Sequence, residues 1–226
     1  MTVAAINGSP RREKSVSAEL IHQMQLLLPE IRGWTLTSSM PWARRGPPPV
    51  TELASLYRAD ALLIAFPLYV DGLPASLVEY LEAYAAGYPA WQREEGAGRP
   101  PQRVFAIANC GFYEGVQNAV ALRVCQLFCQ ASGLDWAGGL GIGTGGMAVG
   151  LRNVPPQAGI RRPVTSAQRR LAEAMREPGG RLPDDIFTQH SFPWWLYKLA
   201  GEASWRHSIK RNGLGARQLN ARPYQN

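Results

Sequence analysis

Three short stretches of the chain hold residue types that can grip an anion and a flat ring. The first, Asn7-Gly8-Ser9-Pro10-Arg11-Arg12-Glu13-Lys14-Ser15-Val16-Ser17, joins a short apolar run to a helical pattern. Amide groups at a helix start point outward, and together with the helix dipole they favour a phosphate; Arg11, Arg12 and Lys14 add positive charge. A capped turn, with Ser15 or Ser17 closing the helix start, is the alternative reading of the same residues. The second stretch runs from Phe66 through Pro67, Leu68, Tyr69, Val70, Asp71 and Gly72 to Pro74. Two prolines stiffen its ends, Gly72 permits an unusual backbone angle, and Tyr69 offers an amphipathic ring. The third, Asn109-Cys110-Gly111-Phe112-Tyr113-Glu114, pairs a glycine for close approach with two rings for stacking. Amides beside rings suit a planar heterocycle with carbonyl and nitrogen acceptors. The first stretch is neither a GxxxxGK[ST] loop nor a GxGxxG turn.

Each stretch follows an apolar run that a buried strand explains. Val3–Ile6, Ala61–Phe66 and Arg103–Ala108 are nearly continuous in apolar residues, as strands covered on both faces are. Trp34–Thr37 and Trp136–Ile142 complete five expected strands. Between them the spacing predicts helices over Ser15–Leu28, Thr51–Tyr57 with Thr51 as cap, Pro74 to about Ala86, and Val116–Ser132 closed by Gly133. Residues 88–102, rich in Pro, Gly and charge, and Pro41–Pro49 are expected loops. Strands alternating with helices imply a parallel sheet with helices on both faces, whose ligands sit beyond the carboxyl ends of the strands. The three stretches fall at three such ends.

On these residues the chain resembles the NAD(P)H-dependent FMN reductase branch of the flavodoxin-like superfamily. Members carry an opening GSPR loop followed by S-x-S/T, here Gly8-Ser9-Pro10-Arg11 with Ser15 and Ser17. They also carry P-x-Y-x-x-G-x-P-A, here Pro67, Tyr69, Gly72, Pro74 and Ala75, and the match covers roughly residues 1–145. The resemblance implies a three-layer α/β fold with a five-stranded parallel sheet of order 2-1-3-4-5. It implies that Ser9, Arg11, Ser15, Val16 and Ser17 hold the FMN phosphate. The backbone from Pro67 through Leu68, Tyr69, Val70, Asp71 and Gly72 would face the isoalloxazine ring, and Asn109, Gly111, Phe112 and Tyr113 would flank it. NADH or NADPH would be the donor and a quinone, flavin or other small molecule the acceptor; an FMN electron carrier serving a protein partner is the alternative. No catalytic side chain is required, and Tyr69, Tyr113 and Glu114 are the nearest candidates for gating or proton delivery. With no cysteine-rich insertion, FMN alone is expected. Proteins of this fold are commonly dimers or tetramers.

Two further features invite chemistry that the context does not support. Gly141-Ile142-Gly143-Thr144-Gly145-Gly146 fits GxGxxG but follows the last strand instead of opening a βαβ unit. Its glycines are expected to let backbone segments pass closely. Cys110 has no adjacent cation and no partner cysteine, so a packed thiol is expected. Cys125 and Cys129 share a helix face as core residues, and three cysteines with three histidines offer no metal-binding spacing.

The last third differs in charge. Residues 1–150 carry 11 Lys+Arg against 12 Asp+Glu, whereas residues 151–226 carry 13 against 5. Thr165–Arg176, capped by Thr165-Ser166, is the expected last helix of a domain spanning residues 1–180. Residues 181–226 form an expected basic, Trp-rich helical extension, helical from Pro193. Its apolar residues encircle the helix, so burial is expected against its own domain, a second subunit or, less favoured, a membrane surface. Basic charge without a stacking stripe or reading helix gives no support to nucleic-acid binding. No apolar run approaches the ~20 residues that span a bilayer, and Met1 leads straight into a strand, so a cytoplasmic protein is expected.

Overall fold

The computed structural model describes residues 1–31, 33–39, 47–215, 218 and 221. Most of the expected loop Pro41–Pro49 therefore lies outside the described residues. Two compact units are present, Met1–His190 and Ser191–Asn226. In the first, strands β1 (Val3–Asn7), β2 (Trp34–Ser38), β3 (Ala61–Pro67), β4 (Arg103–Asn109), β5 (Asp135–Ile142) and β6 (Ile186–Thr188) alternate with helices α1 (Val16–Leu27), α2 (Val50–Tyr57), α3 (Ala75–Arg93), α4 (Ala119–Ser132) and α5 (Arg162–Arg176). All strand pairs are parallel, in the order β2-β1-β3-β4-β5-β6. The expected five-strand order is present, and β6 extends it at the β5 edge.

Alternation along the strands sorts side chains into two cores. Leu62, Ile64 and Phe66 of β3 pack with α2, α3 and α4, while Ala61, Leu63 and Ala65 pack with α1 and α5. The central strands β1 and β4 are buried throughout, which explains their continuous apolar runs.

Four helix boundaries differ from expectation. Helix α3 continues to Arg93 through Gly87 and Pro89, because Tyr84, Tyr88 and Trp91 recur on one buried face. Tyr57 packs edge-on to Tyr84 with centroids 4.7 Å apart, and its hydroxyl donates to the Tyr84 carbonyl at 3.0 Å. A side chain at position 87 would collide with that hydroxyl, 2.6 Å from the Cβ it would add. This packing outweighs the local breaker signals. Helix α2 begins at Val50 after Pro49, not at a Thr51 cap, and α5 begins at Arg162 with proline in its first turn, not at Thr165. The expected start of α4 at Val116 is taken by a 3-10 turn, Gly115–Asn118, and Gly133 closes the helix in the left-handed conformation as expected.

The second unit contains α6 (Trp194–Arg211), which starts after Pro193 as expected. None of its residues is buried, and Trp194, Trp195, Leu199 and Trp205 are each more than half exposed. Among the described residues, no helix is long and apolar enough to cross a membrane.

Candidate cofactor site

Strand pairing brings the three loops side by side. Asn7 pairs with Ala65 and Pro67 with Asn109, so β3 and β4 end level with each other and β1 ends two residues short of them. Hydrogen bonds then lock the loops together. The Gly8 amide donates to the Ala65 carbonyl at 2.8 Å and the Leu68 amide to the Asn109 carbonyl at 2.8 Å. Asn109 Nδ2 donates both to Ser17 Oγ at 3.2 Å and to the Phe66 carbonyl at 2.9 Å. One buried amide thus ties all three loops. Asn109 is only 4% exposed, so it lies beneath the loops as a support. Gly8 is required by close packing, since a Cβ there would stand 2.9 Å from Phe66 Cβ and 2.7 Å from Leu77 Cδ2.

In the first loop, Asn7 accepts the Ser9 amide at 3.0 Å through Oδ1 and donates to the Arg12 carbonyl at 2.9 Å through Nδ2. The Ser9 hydroxyl accepts the Arg11 amide at 3.3 Å. Arg12 is left-handed, at φ +51°. Ser15 is the N-cap of α1: its hydroxyl accepts the Ala18 amide at 3.0 Å and donates to the Arg12 carbonyl. The capped-turn reading is therefore realised at Ser15, whose hydroxyl is engaged within the chain. Val16 and Ser17 occupy the first helical turn, where backbone N–H groups have no intrahelical acceptor. Arg11, Arg12 and Lys14 are exposed around them.

The second loop is a two-residue hairpin. The Tyr69 amide donates to the Gly72 carbonyl and the Gly72 amide to the Tyr69 carbonyl, both at 3.0 Å, with Val70 at φ +48° and Asp71 at φ +59° between them. The left-handed angles expected of Gly72 thus fall on Val70 and Asp71, because a hairpin of this length needs both central residues there. A β-branched residue at positive φ is strained. In such a turn the Val70 and Asp71 amides point away from the paired strands. Val70 is fully exposed, and Tyr69 is 45% exposed beside it.

In the third loop, Phe112 is 55% exposed. Among the described residues, none beyond its chain neighbours lies within 4 Å of a Cβ built on Gly111, so the loop's surface is open beside it. Burial pushes the Cys110 thiol up, and Asn118 Nδ2 donates to its sulfur at 3.3 Å, as a packed thiol requires. Of the glycines of residues 141–146, Gly141, Gly143 and Gly145 act in close packing as expected, whereas Gly146 has nothing within 4 Å of an added Cβ. A Cβ on Gly141 would meet Phe187 Cδ1 at 2.7 Å, and one on Gly145 the Cys110 carbonyl at 2.9 Å.

Sequence reasoning missed the support beneath this loop. Thr144, left-handed at φ +52°, sends its amide to the Phe112 carbonyl at 2.6 Å, and Gly145 sends its amide to the Cys110 carbonyl at 2.8 Å. His190 Nδ1 lies 3.0 Å from Thr144 Oγ1, and the His190 amide donates to the same oxygen at 3.0 Å. Burial, with Arg161 adding positive charge nearby, lowers the imidazole to about 4. A histidine 46 residues from its partner leaves no local signal. The strained threonine inside a glycine run was the one available clue.

Doubly wound strands in this order, with loops joined at their carboxyl ends, define a flavodoxin-like fold. Comparison with solved structures agrees, at low identity. An NAD(P)H:quinone oxidoreductase from Methanothermobacter marburgensis is 19% identical over 79% of this chain and 97% of its own, with TM-score 0.51. An NADPH-quinone reductase from P. pentosaceus is 13% identical over 76% and 98%, with TM-score 0.50. A flavone reductase is 8% identical over 81% and 66%, with TM-score 0.53. No family model matches the chain, and no curated protein matches it by sequence.

Proposed function

We propose that the carboxyl-end loops bind FMN and that the protein is an NAD(P)H-dependent oxidoreductase, passing electrons from a reduced nicotinamide to a quinone, flavin or other small acceptor. The observation that carries this reading is the junction at Asn109, which holds a helix start, a hairpin and an open aromatic loop side by side. The quinone reductase names of the structural neighbours support the same reaction class. The residues fit the group. The Val16 and Ser17 amides and the positive end of α1 would take the phosphate, with Arg11 supplying charge from the rim. The Val70 and Asp71 amides would donate to acceptor atoms along one ring edge, and Tyr69 and Phe112 would cover ring surface and exclude water. When bound, FMN supplies hydride acceptance and electron release; the protein's part is to bind, orient and polarise it.

The test is an anaerobic absorbance titration of the purified chain with FMN, followed by NADH and NADPH in turn. Saturable binding and rapid bleaching by one nucleotide is the expected result and identifies the donor. Binding without reaction toward either nucleotide would overturn the reductase reading in favour of a carrier. No binding would overturn the site itself.

A further inference from the structure

Thr144 and His190 form a buried pair that the loops above do not explain by themselves. Thr144 is fully buried and His190 is 3% exposed. The threonine oxygen accepts the His190 amide at 3.0 Å, contacts the Gly143 carbonyl at 2.6 Å and lies 3.0 Å from the imidazole Nδ1. A hydroxyl has one hydrogen and two acceptor sites. The shorter contact takes the hydrogen to Gly143, so Nδ1 is assigned the proton and donates to Thr144. All three bonding positions of the hydroxyl are then filled, and they hold a β-branched residue in a backbone region it otherwise avoids.

That conformation has a consequence. With residue 144 left-handed, two successive amides, those of Thr144 and Gly145, reach the carbonyls of Phe112 and Cys110 in one loop. The Gly143 amide meanwhile donates to the Thr188 carbonyl at the end of β6, two residues before His190. Strand β6 thus delivers the imidazole to Thr144, and Thr144 suspends the loop bearing Gly111 and Phe112. We propose that His190 and Thr144 are a positioning pin that sets this loop and, through it, the protein's grip on the flavin ring. The second half of the statement rests on the flavin reading above; the first half does not. Among the described residues His190 hydrogen-bonds to Thr144 Oγ1 and to neither loop carbonyl, so it acts on the loop through Thr144.

The experiment pairs hydrogen exchange of the ligand-free chain with FMN titration, read by flavin fluorescence and by circular dichroism of the bound flavin's visible bands. His190→Leu and Thr144→Val remove the contact. His190→Asn and Thr144→Ser retain a donor at the Nδ1 position and a hydroxyl, and they guard against a simple loss of folding. The first pair should speed exchange at the Thr144 and Gly145 amides, which donate to this loop, while residues 8–18 stay as in the parent. It should also weaken FMN binding by about tenfold, the scale of one lost buried hydrogen bond, and alter the visible dichroism. The conservative pair should restore both readouts. Unchanged exchange at the Thr144 and Gly145 amides in His190→Leu would overturn the pin whether or not FMN binds. Faster local exchange with unaltered FMN affinity and dichroism would overturn the link to the flavin. A parent chain that fails to bind FMN would remove the flavin reading, while the exchange data would still decide the pin.

Discussion

The two ends of the sheet handle the same problems with different residues. At the amino ends of β3–β5 a cavity of about 600 Å³ is lined by Tyr57, Trp91, Arg99, Arg103 and Asp135 among others. Its charges are engaged in structure. Arg103 is buried and donates to the carbonyls of Ala174, Met175, Glu177 and Gly180 at 2.9–3.2 Å, closing the last turn of α5. Arg99 pairs with Asp60 and Arg181 with Asp135, each at 3.1 Å. Where loops at this end need a left-handed residue they use glycine, as at Gly98, Gly133 and Gly179. At the carboxyl end, Arg12, Val70, Asp71 and Thr144 are left-handed, and they are all the non-glycine cases among the described residues. Strain of this kind persists where the surroundings impose it, and it gathers at working sites. Cavity volume does not separate the two ends, since a cavity of about 560 Å³ lined by Asn7, Arg12 and Ser38 among others lies beside the first loop. Left-handed non-glycine backbone marks the carboxyl end alone among the described residues, so strain is the better guide.

The sharpest way to break that contrast is to add a methyl group at each end. Gly143→Ala would drive a Cβ into the Tyr113 carbonyl, with the Glu114 carbonyl carbon and the Gly115 nitrogen each 2.7 Å away, and all three are backbone. It should cost about 3 kcal/mol or more and lower the melting temperature by roughly 10 °C. Gly98→Ala, at φ +80° with nothing within 4 Å, should cost only about 1 kcal/mol. Thermal unfolding of both variants checks this, and equal losses would erase the distinction.

Acid should act on the carboxyl end first. The folded chain holds His190 neutral down to about pH 4, whereas the unfolded chain protonates it near the ordinary 6.5. Between these values the unfolded state binds more protons, so stability falls as pH drops from 6.5 to 4. The loss should be on the order of 3 kcal/mol. At the amino end, Asp60 is held below its usual value: burial opposes ionisation, but hydrogen bonds from Thr2 and the charges of the N-terminus and Arg99 outweigh it. Its contribution is present above pH 3.8 and is lost only as pH falls further. Denaturant unfolding across pH 4–7 should show the slope in the parent and its absence in His190→Asn.

How legible each end was in the sequence follows from the range of the interactions. Strands β1, β3 and β4 could be read directly, because central parallel strands need apolar residues at every position. The loops after them could be read because prolines, glycines and serines act locally. Gly87 and Pro89 weigh against a helix locally, so the spacing predicts an end near Ala86, whereas Tyr84, Tyr88 and Trp91 extend α3 by packing with Tyr57, 27 residues or more away. Strand β6 has three residues, too few for a period, and exists through its pairing with Leu140–Ile142. Arg103 likewise acts on distant backbone, and His190 on the hydroxyl of Thr144, 46 residues away. The candidate site was visible as three loops, but the Asn109 junction and the Thr144 support needed the fold.

Arg103→Met tests the amino end on its own terms. The aliphatic stem keeps its packing, but four carbonyls lose their donor, at about 2 kcal/mol for acceptors left unpaired in a buried setting. Chemical denaturation should register that loss. FMN affinity of the folded protein should stay within twofold, because the clamp lies at the opposite end of the strands from the flavin loops. A large fall in affinity would mean that the two ends are coupled and would undo the comparison.

The smallest effect is expected in the hairpin, and its sign carries the information. Val70 and Asp71 hold angles that Asn and Gly adopt more readily, and Val70 has no burial to lose because it is fully exposed. Val70→Asn with Asp71→Gly should therefore stabilise the chain by about 1 kcal/mol, since the turn relaxes without moving the Tyr69–Gly72 pairing. If strain at this end serves only the local turn, FMN affinity will follow stability and hold or rise. If the strained pair fixes the outward amides for the ring edge, the double variant will melt higher yet bind FMN more weakly. A thermal melt and a flavin titration on the same sample separate the two. Lower stability without ligand would show that Val70 and Asp71 are held by contacts that compensate their angles, and backbone strain would lose its standing as the mark of this end of the sheet.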